Sequence, residues 1–550
     1  MSAYVQTNLA ADQPGTALVH DPELIDAQGI AINPTGTFWL SARATDVSTV
    51  YSGDVTRPDG TRTPFVKSAL TVAIPGGSPT GQVFSGSNDF VVTAPTPSVP
   101  IADAAGDFLP TYTGPAAPGL DVVAHEVRIV GDRMTFFGRM AGGVADTQAV
   151  GGIYLFGVDR GQGTPRFRAG TPPIGPNVLW DLLVRVNPDG TGLVNNQALG
   201  LVTPLSRADI TISGNELTAS VPLSLLQPGA TRPPEQWTYN LWPRNGIVPG
   251  QNGNVSDLAP NDGNSKVKPE FISGPARFIF APETGNITGW NPGVPAPPAP
   301  SRNAFVKAST PGAVYTGLAI GKTAAGNFIY AADFENRKID VFDGQYAPAT
   351  PAGSFKDPSV PASYSPINIQ NLGGKLYVAY ARQDGDGDGL PGQGAGFVSV
   401  FDTDGNLLNR VVSGNHLNAP WGMALAPANF GEFSNALLVA STAKGRISAF
   451  DPVNGAYLGQ LDDGSGKPVT IDGLWGLDVG NGTVSGDRNA LYFSAAPDNH
   501  RHGLFGSLRL VADTATPPMV YRAAEQGGLF AGGTGIADQI FGSGDDAEMA

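Results

Sequence analysis

One two-strand phrase recurs along this chain and constrains its fold more than any other feature. In each copy an apolar strand ends in a small residue and a polar turn follows. A second strand then closes on an aromatic residue, often with an aspartate behind it. Clear copies pair residues 328–332 with 338–343, 376–380 with 396–402, and 437–441 with 445–451. Weaker ones pair 278–281 with 286–290 and 491–495 with 504–508. A single strand pair cannot bury both of its faces, so units of this period must pack on one another. Radially arranged sheets, a β-propeller, are the expected solution.

Inner strands are expected near Gly29, in the 84–280 region, and near Gly317, Pro366, Trp421 and Trp475, which gives six blades. Residues 4–9 read as a lone strand able to pair with the last blade and so cover an exposed sheet edge. The pattern is interrupted. After the Pro-rich stretch at 93–97 the strands lengthen and alternate, at 125–130, 133–138, 180–186, 209–212 and 237–242. Turn signals separate them, at Gly131-Asp132, at 187–190 and at 213–215. The predicted fold is therefore all-β: a six-bladed β-propeller with an inserted antiparallel β-sandwich. Residues 1–92 are its first part, 93–272 the insert, 273–511 the remainder of the propeller and 512–550 a Gly/Asp-rich tail. Insertion at a loop is physically easy, because the loop's ends already lie close together.

Composition narrows the chemistry. The net charge of −15 argues against nucleic acid and anionic membrane as partners, since phosphate would be repelled. With no cysteine there is no disulfide, thiolate ligand or cysteine nucleophile. Residues 1–8 lack the basic and apolar regions of a secretory signal, and no stretch approaches the roughly 20 apolar residues of a membrane span. The simple expectation is a cytoplasmic or a processed protein. Neither a Gly-x-Ser-x-Gly elbow nor a His-Glu-x-x-His motif is present.

Three candidate sites emerge. Asp384, Asp386 and Asp388 alternate with glycines, a spacing that lets one loop wrap carboxylates around a hard cation. Calcium is the expected ion. The likeness to the first half of an EF-hand loop stops at Ala395, where a bidentate glutamate would be needed, and a solvated acidic hairpin is the alternative. The second site is the central channel. Six-bladed hydrolases hold calcium there with Asn, Asp and Glu, whereas the inner strands here offer Asn33, Asn368 and Asp478 without a matching set. A wet pore is the plainer reading, with Asn368 as a ligand contact. Third, Trp180, Trp237, Trp242, Tyr154 and Tyr239 cluster in the insert, as core or as a carbohydrate platform. If the face bearing Asn240 and Trp242 is exposed, Trp242 and Arg244 are the expected binding residues. His500 and His502 could flank a metal or simply crown a loop.

Residues 274–281, 367–378, 420–431 and 472–477, with 33–39, carry a resemblance to an uncharacterised bacterial family of secreted propeller-like proteins, some with PEP-CTERM sorting tails. The tail around 532–546 is similar to the calcium-binding nonapeptide repeats of RTX-type proteins, although Ala537 stands where the pattern wants aspartate; a flexible Gly-rich tail is the alternative. The resemblance implies export, by type I secretion if the tail is taken at face value, and an extracellular or cell-surface location. It implies no reaction. The expectation is a non-enzymatic binding or scaffold protein with calcium-stabilised loops, presenting its sandwich to an extracellular polymer or protein. A calcium-dependent hydrolase or lyase at the channel mouth, and a self-associating matrix component, are the alternatives.

Overall fold

The computed structural model describes residues 2–248, 250–295, 299–383, 396–414 and 416–511, whose regular structure is almost entirely β-strand. The chain divides into two units. One comprises the residues up to Thr93 with those from Ser273 onward, and the other is Ala94–Ile272. The loop bearing Asp384, Asp386 and Asp388 and the tail from residue 512 lie outside the described residues.

Among the described residues the first unit is propeller-like and contains six sheets, antiparallel except where Tyr4–Ala11 pairs in parallel with Val19–His20. Their first strands are Ala27–Ile32, Pro79–Phe84, Tyr315–Thr323, Tyr364–Leu372, Pro420–Leu425 and Leu474–Val479. The second sheet takes Pro79–Phe84 from one side of the chain interruption and Phe278–Pro282 from the other. The sixth is completed by the N-terminal strand Tyr4–Ala11, which pairs antiparallel with Leu504–Leu510. This is the pairing expected of the lone first strand.

A repeated local device sets how these sheets meet. Each first strand lies beside the next, and that of the sixth sheet lies beside that of the first. All six also carry a register irregularity in the same place, at the start of the strand. At that place five of them have glycine: Gly29, Gly81, Gly317, Gly422 and Gly476. A β-carbon on Gly29 would fall 2.2 Å from Thr80 O, and one on Gly422 would fall 2.3 Å from Trp475 O. On Gly476 it would fall 2.7 Å from Gln28 O, in the sheet that follows. Backbones therefore approach too closely for any side chain directed at the next sheet. The bulge turns the strand so that this approach is made.

Both faces of the second strands are covered, so they read as continuous apolar runs rather than alternating ones. In Phe38–Ala42, Phe38, Leu40 and Ala42 pack with Tyr492 and Phe505 of the sixth sheet. Trp39 turns the other way, to Phe278, Phe280 and Trp290 of the second sheet, and stacks on Phe278 at 3.9 Å. In Leu437–Ser441 the odd-numbered Leu437 and Val439 join one cluster, and Leu438 and Ala440 join another.

The second unit has two antiparallel sheets of five and six strands. Their inner faces share one core, in which Val127, Met134, Phe136 and Leu217 of the first meet Phe156, Val184, Tyr239 and Leu241 of the second. The period of two read from the sequence here corresponds to one face on this core. The strand Thr238–Asn245, next to last in its sheet, differs, because its outer face is covered too. Trp242 packs there with Phe167, Val178, Val255 and Leu258 from loops.

Candidate functional site

The first strands of the propeller-like unit surround a cavity of about 280 Å³. Two residues beyond the close-approach position, four of these strands carry a small apolar residue: Ala31, Val83, Ala319 and Ala424. The fourth and sixth sheets carry Gln370 and Asp478 there instead, and both line the cavity. Asn368 occupies the fourth sheet's close-approach position and completes the polar wall with Gln82 and Asn371.

The amides in this wall are committed to the protein backbone. Asn368 Nδ2 donates to Trp421 O at 2.7 Å, joining the fourth sheet to the fifth. Gln370 Oε1 accepts the Met423 N–H at 2.6 Å, and its Nε2 lies 3.4 Å from Leu477 O in the sixth sheet. Gln82 Nε2 donates to the carbonyls of Gly29, at 2.9 Å, and Trp39, while its Oε1 accepts from Ser48 Oγ at 3.0 Å. Asn371 Nδ2 reaches back to Ile320 O of the third sheet at 2.8 Å. Each bridge satisfies polar atoms that a tight channel would otherwise leave dry, and all but the Gln370–Leu477 contact, which reaches from the fourth sheet to the sixth, link neighbouring sheets.

Asp478 differs from the amides. Its carboxylate accepts the adjacent Val479 N–H at 2.8 Å, and among the described residues no cation pairs with it. Burial pushes its pKa up to about 7. It is the one ionisable side chain among the described residues that line the cavity.

The other expected residues lie elsewhere. Asn33 caps a turn, with its Oδ1 accepting the Thr35 N–H at 3.1 Å. The imidazoles of His500 and His502 are on different carboxylates, Asp26 at 3.0 Å and Asp12 at 2.8 Å. Trp242 is 1% exposed and Arg244 8%. The condition under which they would form a binding face is therefore not met at this strand. Arg244 donates to Gly246 O at 2.7 Å and to the side chain of Asn254, tying down its own loop. Among the described residues, the acidic side chains that approach closely enough to share a metal ion are Asp107, Asp121 and Asp257, in the second unit. Sequence reasoning found Asn368 and Asp478. It passed over Gln370 and Gln82, whose place in the wall follows from strand register alone.

No family model matches the chain. It is similar to uncharacterised proteins of Acanthamoeba polyphaga mimivirus. One is 41% identical over 201 residues, covering 36% of this chain and 48% of that protein. Another is 33% identical over 240 residues, covering 42% and 43%. The chain spans about half the length of these curated relatives. A streptogramin B lyase structure aligns over 92% of this chain and 97% of its own, at 10% identity and a TM-score of 0.34. A gluconolactonase from Xanthomonas campestris aligns over 43% and 83%, at 15% identity and a TM-score of 0.27. The expected kinship with a bacterial family of secreted proteins is thus corrected: these relatives are viral and uncharacterised.

Proposed function

We propose that this is a non-enzymatic binding or scaffold protein: a six-bladed propeller that carries an inserted β-sandwich and offers the edge of that sandwich to a protein partner. One observation carries the reading. The strand Leu201–Pro204 is the last in its sheet, paired only with Gly192–Asn196 among the described strands. Leu201 is 58% exposed and Val202 57%, so neighbouring residues on both sides of the strand face outward. From Thr191 to Ser206 there is no charged residue. Natural edges are usually blunted by charge, and an apolar edge without it suits strand addition by a partner. The backbone commitments of the channel amides fit a structural core for the propeller. Calcium at Asp384, Asp386 and Asp388 belongs to the same reading, as a loop-stabilising ion suggested by their spacing.

The test places a photo-reactive amino acid at position 202 of the full chain, with Val453, 77% exposed in the first unit, as the control. The reading expects a discrete protein adduct at 202 that the control lacks. Purified chain alone reveals self-association, and a lysate reveals a different partner. Equal labelling from both positions would count against it.

Asp478 favours a second reading, a hydrolase or lyase at the channel mouth. A carboxyl raised to about 7 is suited to general acid catalysis. Turnover of lactone or phosphoester substrates that Asp478→Asn abolishes, without loss of folding, would favour it over the first.

A further inference from the structure

The second unit gathers four aspartates from three separated stretches of chain. Asp103 follows the strand Ile101–Ala102, and its N–H donates to Val123 O at 2.9 Å. Asp107 lies four residues on, in a segment tied to Ser256 O by the Leu109 N–H at 2.8 Å. Asp121 immediately precedes the strand Val122–Val130, and its Oδ2 accepts the Gly106 N–H at 2.7 Å. Asp257 accepts the N–H groups of Val122, at 2.8 Å, and Leu258, at 2.7 Å. One carboxylate oxygen from each of Asp107, Asp121 and Asp257 lies within 4.8 Å of the others.

Two features separate this cluster from an ordinary acidic surface. First, two of its members are buried and two half-buried: Asp257 is fully inaccessible and Asp121 is 3% exposed, while Asp103 and Asp107 are half-buried. Second, it is left short of partners. Asp121 Oδ1, Asp107 Oδ1 and Asp103 Oδ2 are buried oxygens without a hydrogen bond among the described residues. No lysine, arginine or histidine of those residues forms an ion pair with any of the four. Buried carboxylates ordinarily come with a counter-charge or a full set of donors, because desolvation without either is costly.

We propose that Asp107, Asp121 and Asp257 form a divalent-cation site, with Asp103 beside it, and that its ion is calcium. The donors are all oxygen, which suits a hard cation and not a thiolate- or imidazole-seeking metal. The three carboxylates supply part of the 6–8 oxygens calcium takes, leaving room for water or carbonyl groups. The ion would pin the Asp103–Asp107 loop and the Asp257 segment to the start of the strand at Val122.

Calorimetric titration of calcium into the metal-stripped full chain tests this. One binding event is expected to disappear in Asp107→Asn and in Asp121→Asn. It should persist when Asp384, Asp386 and Asp388 are all changed to Asn. Melting supplies a readout that a merely structural role would not move. Without calcium both single variants should melt no lower than the parent, since one repelling charge is gone. With calcium a hundredfold above its Kd, the parent should rise by about 5 °C or more and the variants should not. Calcium heat and stabilisation retained in both variants would overturn the proposal. Should neither variant fold, anomalous scattering from calcium-grown crystals of the parent decides: a peak among the carboxylates of Asp107, Asp121 and Asp257 upholds the site, and its absence rejects it.

Discussion

Asn368 donates its side-chain amide to the carbonyl of Trp421 at 2.7 Å, from the position where the five other first strands have glycine. The exception holds the sheets together in a way the rule cannot. Glycine allows the neighbouring backbone to approach, whereas Asn368 spans to it. Gly317, one sheet earlier, has Asn368 itself as neighbour. A β-carbon there would lie 2.7 Å from Asn368 Cα, and backbone cannot move aside as a side chain can. Replacing Asn368 with Gly should therefore cost only the hydrogen bond, about 1 kcal/mol. Gly317→Ala forces strands apart and should cost more, roughly 3 kcal/mol. Urea midpoints of the two variants check the order; Asn368→Gly proving the more damaging would contradict the close-approach account.

Asp478 makes stability depend on pH in a definite direction. Its pKa is about 7 in the folded chain and about 3.9 in an unfolded one. Between these values the folded state holds a proton that the unfolded state has released, so stability falls as pH rises from about 4 to about 7, then levels. Asp478→Asn has no such loss. The variant should match the parent near pH 4 and exceed it by on the order of 2 kcal/mol at pH 8. Thermal melts across that range measure the gap, and a gap that does not widen with pH would show that the carboxyl stays ionised in the channel.

How far the sequence carried the reading depends on the range over which each signal acts. The two-strand phrase was legible because both faces of strands such as Leu437–Ser441 are covered, which writes an apolar run into adjacent residues. The first strand of the second sheet was blurred. Pro79–Phe84 pairs with Phe278–Pro282 across the whole second unit, so no local phrase joins them. At Trp242 the alternation was read correctly, since Leu241 and Trp242 do enter different clusters. What alternation could not tell was whether the outer face meets solvent, and residues such as Phe167 and Leu258 cover it. The Asp103, Asp107, Asp121 and Asp257 group was invisible for a similar reason. Its members are brought together by the pairing of distant strands, and no spacing along the chain announces them.

Trp39 is the anchor between the first and second sheets. It is 1% exposed, stacks on Phe278 at 3.9 Å and lies 4.8 Å from the Trp290 ring. Its indole N–H is satisfied by Thr37 Oγ1 at 3.0 Å, so the whole side chain is accommodated. Trp39→Ala leaves a cavity between two sheets and strands a hydroxyl, and should cost about 4 kcal/mol. Trp39→Phe keeps most of the volume and the stacking, and should cost less than half of that. Denaturant unfolding compares them; similar losses for Phe and Ala would mean that the hydrogen bond, not packing, dominates.

Asp357 supplies the opposite pH signature to Asp478. Arg410 grips its carboxylate with two hydrogen bonds of 2.7 Å, and Ser399 Oγ and the Ser359 N–H add two more at 2.8 and 3.0 Å. The Arg410 bonds hold its pKa well below the usual carboxylate range. A depressed folded pKa contributes stability that is fully present above the unfolded value near 4 and is lost as pH falls toward the folded one. Asp357→Asn leaves the half-buried Arg410 without its counter-charge and should cost about 3 kcal/mol at pH 7. As pH drops below about 4 the parent loses this contribution and the variant has none to lose, so their stabilities should converge. Urea unfolding at pH 7 and pH 3 measures both gaps; an undiminished difference at pH 3 would mean that the substitution harms the fold through shape and not through charge.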